Sequence, residues 1–224
     1  MNALAVLVPA AGAGVRMGGV RKPLIEVGGR SVLEWALAPF LARDDVVEVV
    51  IALTDGVDPE TVARGDARVR VVGGGESRFG SVAGALDRVT SQANLIAVHD
   101  GARPFPPPGA IDACVRLAAA GYGAVAGVPA VDTVKRADET GRIVETPPRE
   151  ALWHAQTPQV FPRELFTRAV AHCRVTGISP TDDASMVEAL GAEVRMVPAS
   201  ERNLKITRPP DVVTAEAYLA QGLV

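Results

Sequence analysis

Aromatic residues are scarce in this chain, at 4% of 224 residues. That leaves few rings for stacking on single-stranded nucleic acid. It also points to an aliphatic core of the kind buried parallel strands build. Excess positive charge is lacking too: the formal net charge is −3, which argues against a nucleic-acid surface. The two cysteines, Cys114 and Cys173, have no C-x-x-C spacing and read as small buried apolar residues in a reducing compartment. No apolar run is long enough to cross a bilayer. The N-terminus has no basic region, and Pro9 and Gly12 interrupt its apolar run, so it reads as a strand rather than a signal peptide. The expected location is the cytoplasm, with neither nucleic acid nor membrane as a partner. His99, His154 and His172 share no ligand spacing, which argues against zinc and leaves them structural.

Two familiar phosphate signatures are also missing. Gly14 to Gly19 has the glycine spacing of a Walker loop, but Val20-Arg21 stands where Lys-Ser/Thr is required. Gly12-Ala-Gly14 is followed by Met17 in place of a third glycine, and the next strand ends too late to supply the ribose-binding acid of a dinucleotide fold. An NAD-dependent oxidoreductase is therefore disfavoured.

What is present is an apolar run, residues 4–9, that empties into Ala10-Ala-Gly-Ala-Gly-Val-Arg-Met-Gly18, with Lys22 close behind. Small residues let a ligand approach backbone N–H groups, and successive N–H groups in a turn form an anion nest. Arg16 and Lys22 add full positive charge to the same anion. The loop reads as a polyphosphate holder.

Beyond it, strands alternate with helices. Ser31-Val-Leu-Glu34 is a capping box opening a helix to about residue 42. Strands are expected at 46–53, 68–72, 94–98, 124–128, 193–197 and 204–207. Helices are expected from Asp58-Pro59, from about Ser81, from Pro108, from Pro162, over 182–190 behind a Thr181 cap, and from Pro209-Pro210. This predicts a single α/β domain over 1–224, Rossmann-like, with a mostly parallel sheet flanked by helices. The alternation breaks at about 131–152, where two short alternating stretches flank Asp138-Glu-Thr-Gly141. That is a projecting β-hairpin arm. Such an arm needs something to lie against, and a second subunit is the expected support.

Charged and small residues gather where strands end: Arg16 and Lys22, residues 74–81, Asp100 and Arg103, and Lys205. Ligands of open α/β sheets bind there. Each has a plainer reading as well. Asp100 suits a turn, Arg103 a charged surface, Ser81 an N-cap and Glu76 a solvated loop, while Asp182-Asp183 suit the dipole of a helix's first turn.

The loop Ala10-Ala-Gly-Ala-Gly-x-Arg-Met17 with Lys22 resembles the signature of nucleotidyltransferases. His99-Asp-Gly-Ala-Arg-Pro104, Asp132-Thr-Val-Lys135, Leu152-Trp-His-Ala-Gln-Thr-Pro-Gln159, Thr181-Asp-Asp-Ala-Ser185 and Leu204-Lys-Ile-Thr207 narrow it. Together with the arm they resemble the 2-C-methyl-D-erythritol 4-phosphate cytidylyltransferase family of the non-mevalonate isoprenoid pathway. The resemblance implies that Ala10, Ala11, Gly12, Ala13 and Gly14 wrap the CTP phosphates. Arg16 and Lys22 would stabilise the reacting α-phosphate and departing pyrophosphate, with Lys205 the third catalytic residue, reaching both substrates. Gly75, Glu76 and Ser81 would read the cytosine. Asp100 would sit at the ribose and near Mg²⁺, an ion held mainly by the CTP phosphates, with no direct side-chain ligand expected unless Asp100 serves. Arg103 and Thr181 would contact the polyol phosphate. Thr133 and Arg149 would reach across a homodimer into the partner's site. Arg21-Lys22-Pro23 departs from the family's usual Pro-Lys-Gln or Pro-Lys-Ala and sets a second cation beside the lysine. The alternatives are a cytidylyltransferase for another polyol phosphate such as ribitol 5-phosphate, a sugar-phosphate nucleotidyltransferase (which the arm fits poorly), and a non-catalytic nucleotide-binding module.

Overall fold

The computed structural model describes residues 2–12, 24–53 and 65–224. The expected helix at Asp58-Pro59 and the residues Ala13, Gly14, Arg16 and Lys22 lie outside them. In chain order the elements are β1 (Leu4–Pro9), β2 (Glu26–Val27), β3 (Arg30–Ser31), α1 (Val32–Leu41), β4 (Val46–Leu53), β5 (Val69–Gly73), α2 (Arg78–Leu86), β6 (Leu95–Val98), α3 (Pro108–Ala119) and β7 (Gly123–Pro129). There follow β8 (Arg136–Ala137), β9 (Ile143–Glu145), β10 (Trp153–Pro162), α4 (Arg163–Thr176), α5 (Asp183–Glu188), β11 (Val194–Pro198) and α6 (Pro209–Ala220).

Among the described residues, one sheet carries seven strands in the order β11-β7-β10-β6-β1-β4-β5. Of these, β10 runs against its neighbours, pairing antiparallel with both β6 and β7; the other neighbours are parallel. Strand periodicity divides the core between the two faces. From β1, Leu4, Val6 and Val8 pack on one side with Leu33, Leu37 and Phe40 of α1 and Ile111 and Val115 of α3. Ala5 and Leu7 face the other side, with Val82 of α2, Phe166 and Val170 of α4, and Met186 of α5.

The boundaries follow local chemistry. Ser31 and Glu34 form the reciprocal capping box at the start of α1. Four expectations need correction. Helix α2 begins at Arg78 behind an N-cap at Ser77, not at Ser81, because the Ser77 side chain accepts from Gly80 N–H. Asp182, not Thr181, caps α5, its carboxylate accepting from Ser185 N–H. Residues 204–207 form no strand; Ile206 N–H donates to Ala102 O at 2.8 Å, and Ile206 enters a small third core with Val27, Val32, Phe105 and Ala215. Strand β10 is absent from the sequence-based expectation, since Pro158 and Pro162 argue against a central strand. Its ladder with β7 breaks its register between Ala155 and Gln159, where Pro158 sits in the gap.

The arm is present but its paired part is short: Arg136 lies opposite Glu145 and Ala137 opposite Ile143. It exposes Val131 (67%) and Ile143 (58%).

Ser31→Ala removes one half of the capping box and leaves the Glu34 backbone N–H without its side-chain acceptor. We expect a loss of about 1 kcal/mol, read as a lower urea midpoint at constant slope. An unchanged midpoint contradicts the role given to this cap.

Candidate active site

Strand ends converge on one edge of the sheet. Beyond β1, Ala10 N–H donates to Ala52 O at 2.8 Å, and beyond β5, Gly74 N–H donates to Leu53 O at 2.7 Å. These bonds draw the two loops together: a Cβ on Gly74 would overlap the Cβ of Ala11. One on Gly75 would lie 2.6 Å from the carbonyl carbon of Gly80. Only glycine fits where two backbones approach so closely. Ser81 Oγ accepts from Gly75 N–H at 3.1 Å and donates to Ser77 O at 3.0 Å. Buried Ser81 thus shapes the glycine loop from inside, while Glu76 is solvent-exposed.

The loop after β6 carries Asp100 and Arg103 and is pinned by a hydrogen-bond relay. Asp100 N–H donates to Thr157 Oγ1, which lies 3.0 Å from His99 Nδ1; His99 Nε2 lies 3.0 Å from Arg103 O. A carbonyl only accepts, so Nε2 carries the ring proton and Nδ1 accepts from the threonine hydroxyl. His99 is structural, as expected, but its position matters: it closes the loop that presents both charged side chains. Arg103 also donates to Asn203 O at 2.7 Å, and the buried Asn203 amide donates to Gln156 Oε1 and Thr157 O. Ile206 is buried in the core, while its neighbour Lys205 reaches Asp100.

Asp100, 7% exposed, is the hub. Lys205 Nζ donates to its Oδ2 at 2.8 Å, Arg78 Nε donates to its Oδ1 at 3.2 Å, and Arg103 Nε lies 3.6 Å from Oδ2. Burial alone would raise this carboxyl, but the charges of Arg78, Lys205 and Arg103 outweigh it and hold it well below the usual carboxylate range. Arg78 also donates to Asp183 Oδ2 at 2.6 Å.

These groups border a cleft of about 180 Å³ whose lining includes Arg78, Asp100, Arg103, Gln156, Thr181 and Lys205. The structure therefore brings Asp100, Arg103, Thr181 and Lys205 together. It places Thr133 and Arg149 elsewhere, exposed on the arm, where Arg149 Nη1 donates to Val131 O at 3.0 Å and ties the arm's two ends. Sequence reasoning misses Arg78, Gln156 and Asp183 as site residues. Arg78 has a signal, a cation three residues past a glycine-rich strand end. Asp183 has a misleading one, since an acid in a helix's first turn already has a sufficient explanation.

A mostly parallel α/β sheet whose strand ends join glycine-rich loops to a cationic, carboxylate-centred cleft belongs to the nucleotidyltransferase class of enzymes. A family model, 2-C-methyl-D-erythritol 4-phosphate cytidylyltransferase, matches residues 4–221, and the chain belongs to that family. It is 42% identical to the enzyme of that name from Frankia casuarinae, over 97% of this chain and 82% of that protein. It is 43% identical to the one from Deinococcus radiodurans, over 95% and 88%. The crystal structure of the Thermus thermophilus enzyme superposes with a TM-score of 0.82 at 36% identity, covering 99% of this chain and 100% of the other.

His99 is fully buried, and burial, aided by the charges of Arg103 and Lys205, pushes its pKa from 6.5 down to about 4. The unfolded chain takes up this proton below pH 6.5 and the folded chain only near 4. The stability contributed is full above pH 6.5 and is lost as the pH falls toward 4, by on the order of 3 kcal/mol. Urea titrations at pH 7 and pH 5 should show a smaller drop for His99→Gln than for the wild type. Equal drops contradict this linkage.

Proposed function

We infer that the chain transfers CMP from CTP to 2-C-methyl-D-erythritol 4-phosphate, giving 4-diphosphocytidyl-2-C-methyl-D-erythritol and pyrophosphate. Family membership supports the reaction. The observation that carries the site assignment is the pair of cations, Arg103 and Lys205, gathered on one buried carboxylate beside Thr181. Such a cleft suits the dianionic phosphate of a polyol phosphate.

An oxygen of the acceptor phosphate attacks the α-phosphorus of CTP. A new P–O bond forms as the bond to the β-phosphate bridging oxygen breaks, and pyrophosphate leaves with the electron pair. A phosphate monoester has its second pKa near 6 and is already ionised at neutral pH, so no general base is needed. The difficulty is bringing polyanions together. Two unit charges about 4 Å apart repel by roughly 4 kcal/mol at an effective dielectric near 20. In this reading Arg16 and Lys22 offset the charge on the α-phosphate and the leaving pyrophosphate. Ala10 to Gly14 wrap the triphosphate, Gly75, Glu76 and the loop braced by Ser81 read the base, and Asp100 sits at the ribose. Arg103, Thr181 and Lys205 hold the acceptor.

Mg²⁺ fits this site as an ion carried on the nucleotide phosphates. Among the described residues no three His, Cys, Asp or Glu side chains converge on a metal site. Asp100, the candidate side-chain ligand, already has both oxygens against cations. Bound there, Mg²⁺ supplies positive charge to the phosphates. The exposed apolar residues of the arm suit burial against a second subunit, which supports a homodimer with Thr133 and Arg149 lent to the partner's site. No described helix is long and apolar enough to cross a membrane. The two free buried cysteines suit a cytoplasmic location.

Pyrophosphate release should appear with CTP, Mg²⁺ and 2-C-methyl-D-erythritol 4-phosphate but not with ribitol 5-phosphate. Release with ribitol 5-phosphate alone would move the enzyme to another pathway. Lys22→Ala should lower turnover by about two orders of magnitude without shifting the melting curve; a folded, nearly active variant overturns the lysine's role. The chemical step should also slow as the pH drops through about 6, where the acceptor phosphate takes its second proton.

A further inference from the structure

Arg78 has no part in the roles above, yet it joins two carboxylates of the cleft. It is the first residue of α2 and spans from Asp100 Oδ1, 3.2 Å from Nε, to Asp183 Oδ2, 2.6 Å from Nη2. Asp183 is 1% exposed, and its Oδ1 is buried with no hydrogen-bond partner among the described residues. A buried carboxylate with one oxygen unsatisfied is a poor device for stability alone. Nearby Asp182 is engaged otherwise, accepting from Gln159 Nε2 and Ser185 N–H. Arg78 therefore spans Asp183 and Asp100, while Arg103 and Lys205 share only Asp100.

This asymmetry has a consequence when a dianionic phosphate enters. Arg103 and Lys205 must turn from Asp100 toward the phosphate. Asp100 would then be left buried and unpaired, a costly state, unless one cation stays behind. We propose that Asp183 and Arg78 are a positioning pair: Asp183 anchors the Arg78 guanidinium on Asp100, which keeps a resident counter-ion while Arg103 and Lys205 are released to the acceptor phosphate. The same anchor stops Arg78 from taking the phosphate itself in a misaligned pose. The proposal rests on reading the cleft as the acceptor-phosphate site.

Calorimetric titration with inorganic phosphate tests the pair independently of turnover, while activity of the wild type with 2-C-methyl-D-erythritol 4-phosphate tests the reading beneath it. Asp183→Asn frees Arg78. It should bind inorganic phosphate about tenfold tighter, the effect of one charge-assisted contact, while kcat falls. The double variant R78Q/D183N removes the freed cation and leaves Asp100 to Arg103 and Lys205 alone, so its phosphate affinity should fall below the wild-type value. Arg78→Lys covers the case in which Asp183→Asn does not fold. A lysine cannot bridge both carboxylates in the planar manner of a guanidinium, so Asp100 should hold Lys205 and Arg103 harder. KM for the acceptor should then rise about tenfold, with kcat falling less. A merely structural pair would shift the melting temperature and leave phosphate affinity alone. Unchanged phosphate binding in folded Asp183→Asn overturns the proposal, as does an Arg78→Lys variant that loses kcat with KM unchanged. A wild type that binds phosphate but does not turn over the acceptor overturns the functional reading instead, and the titrations still decide the pair.

Discussion

The site depends on one buried anion. Asp100 sits just past the end of a core strand with cations from three separate parts of the chain upon it: Arg78 from α2, Arg103 from its own loop and Lys205 from the segment before α6. A carboxylate this deep is tolerable only when neutralised. Its position obliges these segments to meet, and their meeting makes the cleft. The carboxylate gathers cations that would otherwise repel one another.

The scaffold makes this concentration of charge possible. Parallel strands ending at one edge put loops from distant parts of the sequence side by side. Two of these, at Ala11 and Gly74, touch because neither carries a large side chain. The His99–Thr157 relay then reaches across from β10, so the loop bearing Asp100 and Arg103 is braced by a strand running opposite to the rest of the sheet. Rigidity and chemistry share the same bonds here. A loop held at both ends by buried hydrogen bonds presents its charges with little left to order on binding.

Legibility differs by element and for physical reasons. Strands β1, β4 and β6 are apolar runs bounded by turn residues, and α1 carries its own capping box, so these are readable locally. Strand β10 is not, since its prolines oppose the ladder it joins and its place between β6 and β7 comes from burial of Val160 and Phe161 on opposite faces of the sheet. Lys205 stands out because a lysine between apolar neighbours is unusual. Arg78 and Asp183 do not, since each is ordinary in its local setting and becomes informative only as a pair, 105 residues apart.

By itself the sequence determined the α/β class, the arm and the residue types available for chemistry. All of these follow from short-range rules: periodicity, capping, turn chemistry and motif order. Only the tertiary structure decided which charges share a counter-ion, which way Lys205 points, and which loop the structural His99 closes. Those outcomes depend on desolvation and distance between segments far apart in the chain, and both are set only when the core closes.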